Sequence, residues 1–144
     1  VTALADALVR PDAKELGHLD TSVVTIEFDN GAIAVAEANF SALYGYDVRG
    51  EVFGSAGMCT AGDVRTTNMT AYTADGISVD TSRMDSDLLR DAYLGEFEAF
   101  AEAVRSGGAS PVPGAAARVA LGIALAAIKS VEEKRAVLVE EVER

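Results

Sequence analysis

The apolar residues of this chain change their spacing once, near residue 85. Before that point they fall in short runs broken by turn residues, and after it they recur at every third or fourth position. A strand sends alternate side chains to one face, whereas a helix aligns every third or fourth, so a single switch of period places the strands first and the helices last. That order predicts an α+β domain: a predominantly antiparallel open sheet, a strand meander, with two C-terminal helices packed on one face.

The strand half is punctuated from within. Residues 1–10 alternate loosely up to Pro11, and residues 11–19 are polar and turn-like. Residues 21–28 are rich in β-branched side chains and run into Asp29-Asn30-Gly31, a hairpin signal because Asn and Gly tolerate the positive φ of a tight turn. Residues 32–40 are the return strand, with Ala32, Ala34, Ala36 and Ala38 on one face, where a neighbour can pack closely, and Ile33, Val35, Glu37 and Asn39 on the other. Further strands are predicted at 46–53, at 58–61 after the Gly54–Gly57 turn, and at 66–73 and 77–80 around Ala74-Asp75-Gly76. A helix is predicted over 87–105, capped by Asp85 or Ser86 and ended by Gly107-Gly108. After a linker at 111–114, a second helix runs from 115 to about 134, and a short strand at 136–139 closes the chain. The middle of the second helix is apolar nearly all round, which requires cover on more than one side.

At 144 residues the chain is one domain's length, large enough to bury roughly 70% of its unfolded surface. A formal charge of -11 disfavours nucleic acid and anionic lipid as partners. The longest apolar run, residues 119–128, is about half of the ~20 residues of a membrane helix and reads as a buried helix segment. No basic run followed by an apolar segment marks a signal peptide at the N-terminus, so a cytoplasmic location is expected. The single cysteine, Cys59, is expected to be a buried, inert thiol at the start of a strand.

Self-contained chemistry is sparse. No glycine-rich loop stands between a strand and a helix; Gly54-Ser55-Ala56-Gly57 joins two strands and so presents no helix N-terminus to a phosphate. No cluster has metal-ligand spacing. His18 lies in a polar loop, and Glu132, Glu133, Glu140, Glu141 and Glu143 read as solvated charge. One segment differs. Tyr44-Gly45-Tyr46-Asp47 carries two tyrosines two residues apart, which share a side if the segment is extended. Their hydroxyls could bond a polyol while their rings cover its apolar faces, and Gly45 would let a ligand or a backbone approach. Aromatic packing at a sheet edge is the competing account of the same pattern.

Residues 19–61, LDTSVVTIEFDNGAIAVAEANFSALYGYDVRGEVFGSAGMCTA, resemble the start of the sheet domain of the Gfo/Idh/MocA oxidoreductases, most closely the myo-inositol 2-dehydrogenase branch. That branch carries a similar hairpin leading into a similar YGYD strand-turn-strand. Ala92-Tyr93-Leu94-Gly95-Glu96-Phe97 with Phe100 looks like the family's AY..E...F helix, and residues 113–118 with Ala120 look like its following helix. The resemblance implies that residues 1–144 are a C-terminal substrate-binding and oligomerisation domain, with a Rossmann domain for NAD or NADP, a catalytic lysine, and an Asp and His on a helix all upstream of Val1. On that account this chain carries no catalytic, cofactor-binding or metal-binding residue of its own and binds no cofactor alone. The implied reaction is hydride transfer from a C–OH carbon of a sugar or polyol to nicotinamide, the His taking the hydroxyl proton. Matched onto this sequence, the substrate contacts are Tyr46, Tyr44 and Tyr93. Phe40 stands where the inositol branch commonly has arginine, a different surface for a polyol. The family's sheets commonly pack on one another, so a homodimer or tetramer through the sheet face is expected. A free-standing assembly or ligand-binding module, and a relative that has lost its catalytic residues, remain the alternatives.

Overall fold

A computed structural model describes residues 1–142, so Glu143 lies outside the described residues. The chain is α+β with antiparallel strands throughout, and it divides into two compact units. The first joins Val1–Ser41 to the residues from Ala109 onward, and the second is Ala42–Gly108.

In the first unit, β1 (Thr2–Asp6), β2 (Thr21–Glu27) and β3 (Ile33–Asn39) form a sheet in that order. The Asn-Gly signal behaves as its chemistry demands: Gly31 takes φ 83°, and the Asn30 side chain accepts the Ala32 N–H at 3.0 Å. Register places Ala3, Val24 and Ala36 side by side on one face, and Leu4, Val23 and Glu37 on the other. Helix α3 (Gly114–Glu133) lies along β1, burying Gly122, Ala126 and Ser130, a stripe of small residues at four-residue spacing. Small side chains on both the helix and Ala3 let the two backbones come close, and Ser130 Oγ accepts the buried Ala3 N–H at 2.9 Å. By length and hydropathy α3 could also cross a membrane. Its polar bond to a strand and its small-residue seat make it instead the cover of a sheet.

The strand predicted at 136–139 reduces to one residue. Lys134 takes a left-handed conformation after α3, and Val1 and Val137 then exchange two backbone hydrogen bonds, each 2.9 Å. Pairing goes no further along β1 because Ser130 Oγ accepts the Ala3 N–H and donates to the Arg135 carbonyl, the two groups a next ladder bond would join. Past Leu138, whose N–H donates to the Glu141 carboxylate at 3.0 Å, Val139–Glu141 turn into a 3₁₀ helix. Glu141 is accordingly not free surface charge: Arg135 first, and Lys129 as well, hold its carboxyl far below the usual range. The polar stretch after Pro11 is likewise ordered, as a 3₁₀ helix over Pro11–Leu16. Preceding it, the backbone N–H groups of Leu8, Val9 and Arg10 all converge on the Asp20 carboxylate at 2.7–3.0 Å.

The second unit contains the hairpins β4 (Gly50–Gly54) with β5 (Gly57–Ala61) and β6 (Arg65–Thr73) with β7 (Gly76–Thr81), then α1 (Asp85–Leu88) and α2 (Arg90–Ser106). The strands thus pair as three separate groups rather than as one continuous meander. The single helix predicted over 87–105 is broken at Leu89, and its cap differs too. Met84 is the N-cap and makes no side-chain cap, while the Asp85 side chain binds only the adjacent Ser86 N–H. Gly107 ends α2 in the left-handed conformation, as predicted. Cys59 falls on β5 as expected but is exposed rather than buried, because neither face of β4 and β5 is covered by the described residues.

Asp20 yields a pH-dependent prediction. Burial raises its pKa, but the N–H donors of Arg10, Leu8 and Val9 and the Thr21 hydroxyl outweigh that and set it below the ordinary 3.8. A depressed native pKa gives stability that is full above the unfolded value and is lost as pH falls through the native one. Asp20→Asn, which turns an amide donor toward N–H donors, should lower the urea midpoint at pH 7. The gap from the parent should close as the pH falls below about 4; a gap unchanged down to pH 2 would refute the assignment.

Candidate functional site

The tyrosine segment is fixed by the end of β7. The Arg83 guanidinium donates to the Leu43 carbonyl at 3.1 Å, the Thr81 hydroxyl donates to the Tyr44 carbonyl, and the Tyr46 N–H donates to the Ser82 carbonyl at 2.8 Å. Ser82 itself is only 4% exposed. Gly45 makes this possible. It has φ 122°, and a Cβ placed there would stand 2.3 Å from the Ser82 carbonyl oxygen. Of the two approaches that the glycine leaves open, ligand or backbone, the structure uses it for backbone.

This anchoring corrects the expected strand at 46–53. Tyr46 forms an isolated bridge with Ser82, and the strand begins only at Gly50. Tyr44 and Tyr46 therefore do not follow strand alternation, because the positive φ at Gly45 turns the chain between them. Both rings nevertheless stay half-exposed, at 52% and 49%. Each offers an apolar ring with a phenolic hydroxyl, a combination that suits a ring-shaped polyol.

The hydroxyls differ in what they can do. Tyr44 Oη donates to Asp47 Oδ2 at 3.1 Å, and the Arg49 guanidinium grips both oxygens of Asp47 at 2.8 Å. Among the described residues the Tyr46 and Tyr93 hydroxyls bond to no other group of the chain, so either can donate or accept. Tyr93 lies on the first turn of α2, on the same helical stripe as Phe97, Phe100 and Val104. The structure thus ties Tyr44 and Tyr46 into one anchored loop and sets Tyr93 on a separate element of the same unit. Asp47 and Arg49 were not singled out from the sequence, although a carboxylate two residues from a guanidinium, beside a tyrosine, was a visible signal.

Elsewhere the chain offers little to a cofactor. Gly54 and Gly57 close the β4–β5 hairpin, so no helix N-terminus follows them and the residues do not fit a dinucleotide. Among the described residues no group of three or more His, Cys, Asp or Glu is arranged to hold a metal. Substituting Gly45→Ala tests the loop directly. Its Cβ meets a backbone oxygen and its φ is unfavourable for any L-residue, so a loss of roughly 1–3 kcal/mol is expected on chemical unfolding. A neutral result would mean that the loop is not held against β7 in this way.

Comparison with known proteins places these features in a family. The family described as "Oxidoreductase family, C-terminal alpha/beta domain" matches residues 1–139. The myo-inositol 2-dehydrogenase of Thermotoga maritima is 41% identical over 99% of this chain and 43% of its own length. The scyllo-inositol 2-dehydrogenase (NAD(+)) of Bacillus subtilis is 34% identical over 85% of this chain and 36% of its own. A crystal structure of a myo-inositol dehydrogenase from Corynebacterium glutamicum superposes with a TM-score of 0.84 at 26% identity, covering 93% of this chain and 41% of that one. The chain thus spans about two fifths of the length of these relatives. On a family match that runs over nearly its whole length, the chain belongs to the Gfo/Idh/MocA oxidoreductases and corresponds to their C-terminal alpha/beta domain.

Proposed function

We propose that this chain is the substrate-contacting and subunit-contacting domain of an NAD(P)-dependent dehydrogenase that oxidises a ring polyol of the inositol kind, working in the cytoplasm. The observation that carries the reading is the 41% identity, over 99% of the chain, to a myo-inositol 2-dehydrogenase. The half-exposed Tyr44 and Tyr46 support it, because apolar rings bearing hydroxyls match a substrate with apolar ring faces and polar edges. The Gly54–Gly57 turn joins two strands and offers a dinucleotide no helix N-terminus, and no step of hydride transfer is assigned to these residues. Cofactor binding and proton removal fall to the part of the parent protein beyond these residues. Here the loop orients the polyol, and orientation alone is a large part of what such a reaction requires.

Subunit contact is the second role. The face of the first sheet opposite Ala3 carries Leu4, Val23, Ile33 and Val35, with Ile33 72% and Val35 61% exposed. These exposed apolar residues, set among Thr25, Glu27 and Glu37 on the same face, favour burial against a second copy, as a dimer or tetramer.

Two measurements test the reading. The full-length gene product should reduce NAD or NADP with myo- or scyllo-inositol, and Tyr46→Phe should raise KM about 3- to 10-fold, the cost of one lost hydrogen bond. Turnover of no polyol would overturn it. In light scattering the same protein should be a dimer or tetramer, and Val35→Lys should dissociate it. Unchanged assembly in that variant would remove this face from the interface.

A further inference from the structure

We propose that Asp47 is a positioning residue for substrate binding, holding the Tyr44 hydroxyl so that it can only accept a hydrogen bond from a polyol hydroxyl. The proposal rests on reading the tyrosine loop as a polyol-contacting surface and adds to it a directional rule.

A phenol has one proton and oxygen lone pairs that accept. Tyr44 donates its proton to Asp47 Oδ2 at 3.1 Å, which leaves only acceptor capacity facing outward. Asp47 is itself immobilised. Its side chain is 9% exposed, and Arg49 donates Nε to Oδ1 and a terminal nitrogen to Oδ2, both at 2.8 Å. A two-point fork of this sort fixes the carboxylate plane as well as its position. The Tyr44 carbonyl is held by the Thr81 hydroxyl, so this tyrosine is restrained at its backbone and at its hydroxyl. Tyr46, with a hydroxyl that bonds to no described group of the chain, carries no such restriction and can serve either role. Tyr44 is therefore an obligatory acceptor, and Tyr46 an adaptable group. What residue 47 must offer is an acceptor at the Oδ2 place, where Tyr44 and Arg49 both donate, because an acceptor there excludes the reversed bond, in which Tyr44 would turn its proton outward.

The test is a double-mutant cycle in the full-length gene product, with myo-inositol and NAD as the probes. Tyr44→Phe should raise KM about 3- to 10-fold with kcat little changed. Asp47→Ala should do the same, and adding Asp47→Ala to Tyr44→Phe should cost nothing more, because both remove one unit. Asp47→Asn keeps an oxygen for the Tyr44 proton while weakening the Arg49 fork, so KM should recover toward the parent value. A residue that only braced the loop through its charge would show no such recovery. Effects of Tyr44→Phe and Asp47→Ala that multiply, or an Asp47→Ala variant of normal KM beside a defective Tyr44→Phe, would overturn the positioning role and leave the polyol reading intact. If Tyr44→Phe and Tyr46→Phe are both silent, or myo-inositol is not turned over at all, the polyol reading fails and the inference fails with it. Should Asp47→Ala not fold, the nearly isosteric Asp47→Asn decides the matter. A KM near the parent value then supports the positioning role, and a KM as high as that of Tyr44→Phe overturns it.

Discussion

Ser130 has one proton to give and lone pairs to fill, and the first unit uses both capacities. It accepts the N–H of Ala3 at the edge of the sheet and donates to the Arg135 carbonyl at 2.6 Å, just beyond the end of its own helix. A buried hydroxyl without partners would be costly, whereas here each bond joins two elements that would otherwise be free to slide. Strand β1, helix α3 and the returning chain at Val137 are registered at one point. The reciprocal pair between Val1 and Val137 then follows from that registration, and the ion pairs of Arg135 with Glu133 and Glu141 fix the turn that carries it. The seat can be this close only because Gly122, Ala126 and Ala3 have almost no side chain.

The second unit obeys a different logic. Its hairpins have no packed interior of their own, since β4 and β5 are exposed on both faces and Phe53 and Tyr72 are largely in the open. A two-stranded ribbon of this kind is marginal in water by itself. What gives the unit a defined shape is directional: ladder bonds, the close approach of Gly45 to Ser82, and the Asp47–Arg49 fork. Such bonds position side chains well while leaving surfaces uncovered. The relatives it matches are more than twice as long as this chain.

The candidate site was partly legible. Tyr44 and Tyr46 were singled out from the YGYD segment and Tyr93 from the AY..E helix, each by resemblance to a family pattern, and the glycine between the first two announced a close approach. Which partner approaches was not legible, because Ser82 lies far along the chain and only the fold brings its carbonyl to Gly45. The Asp47–Arg49 pair was close in sequence, yet its meaning depends on Tyr44 reaching the same carboxylate, which follows from a turned rather than an extended segment.

The order of elements, the antiparallel class and several turns with local chemistry were legible in the residues alone. The Asn30-Gly31 hairpin, the Gly107 helix end and the small-residue face of β3 are of this kind, because nearest-neighbour sterics and side-chain spacing dictate them. Tertiary structure decided the rest. It shortened the predicted final strand to Val137, since the Ser130 hydroxyl stands between the Ala3 N–H and the Arg135 carbonyl that a further ladder bond would join. It also replaced the predicted start of the strand at 46–53 with an isolated bridge from Tyr46 to Ser82, the residue just past β7. It left Cys59 in the open because no described element of this chain covers β5. In each case the deciding bond or cover comes from a residue or surface that periodicity along the chain does not encode.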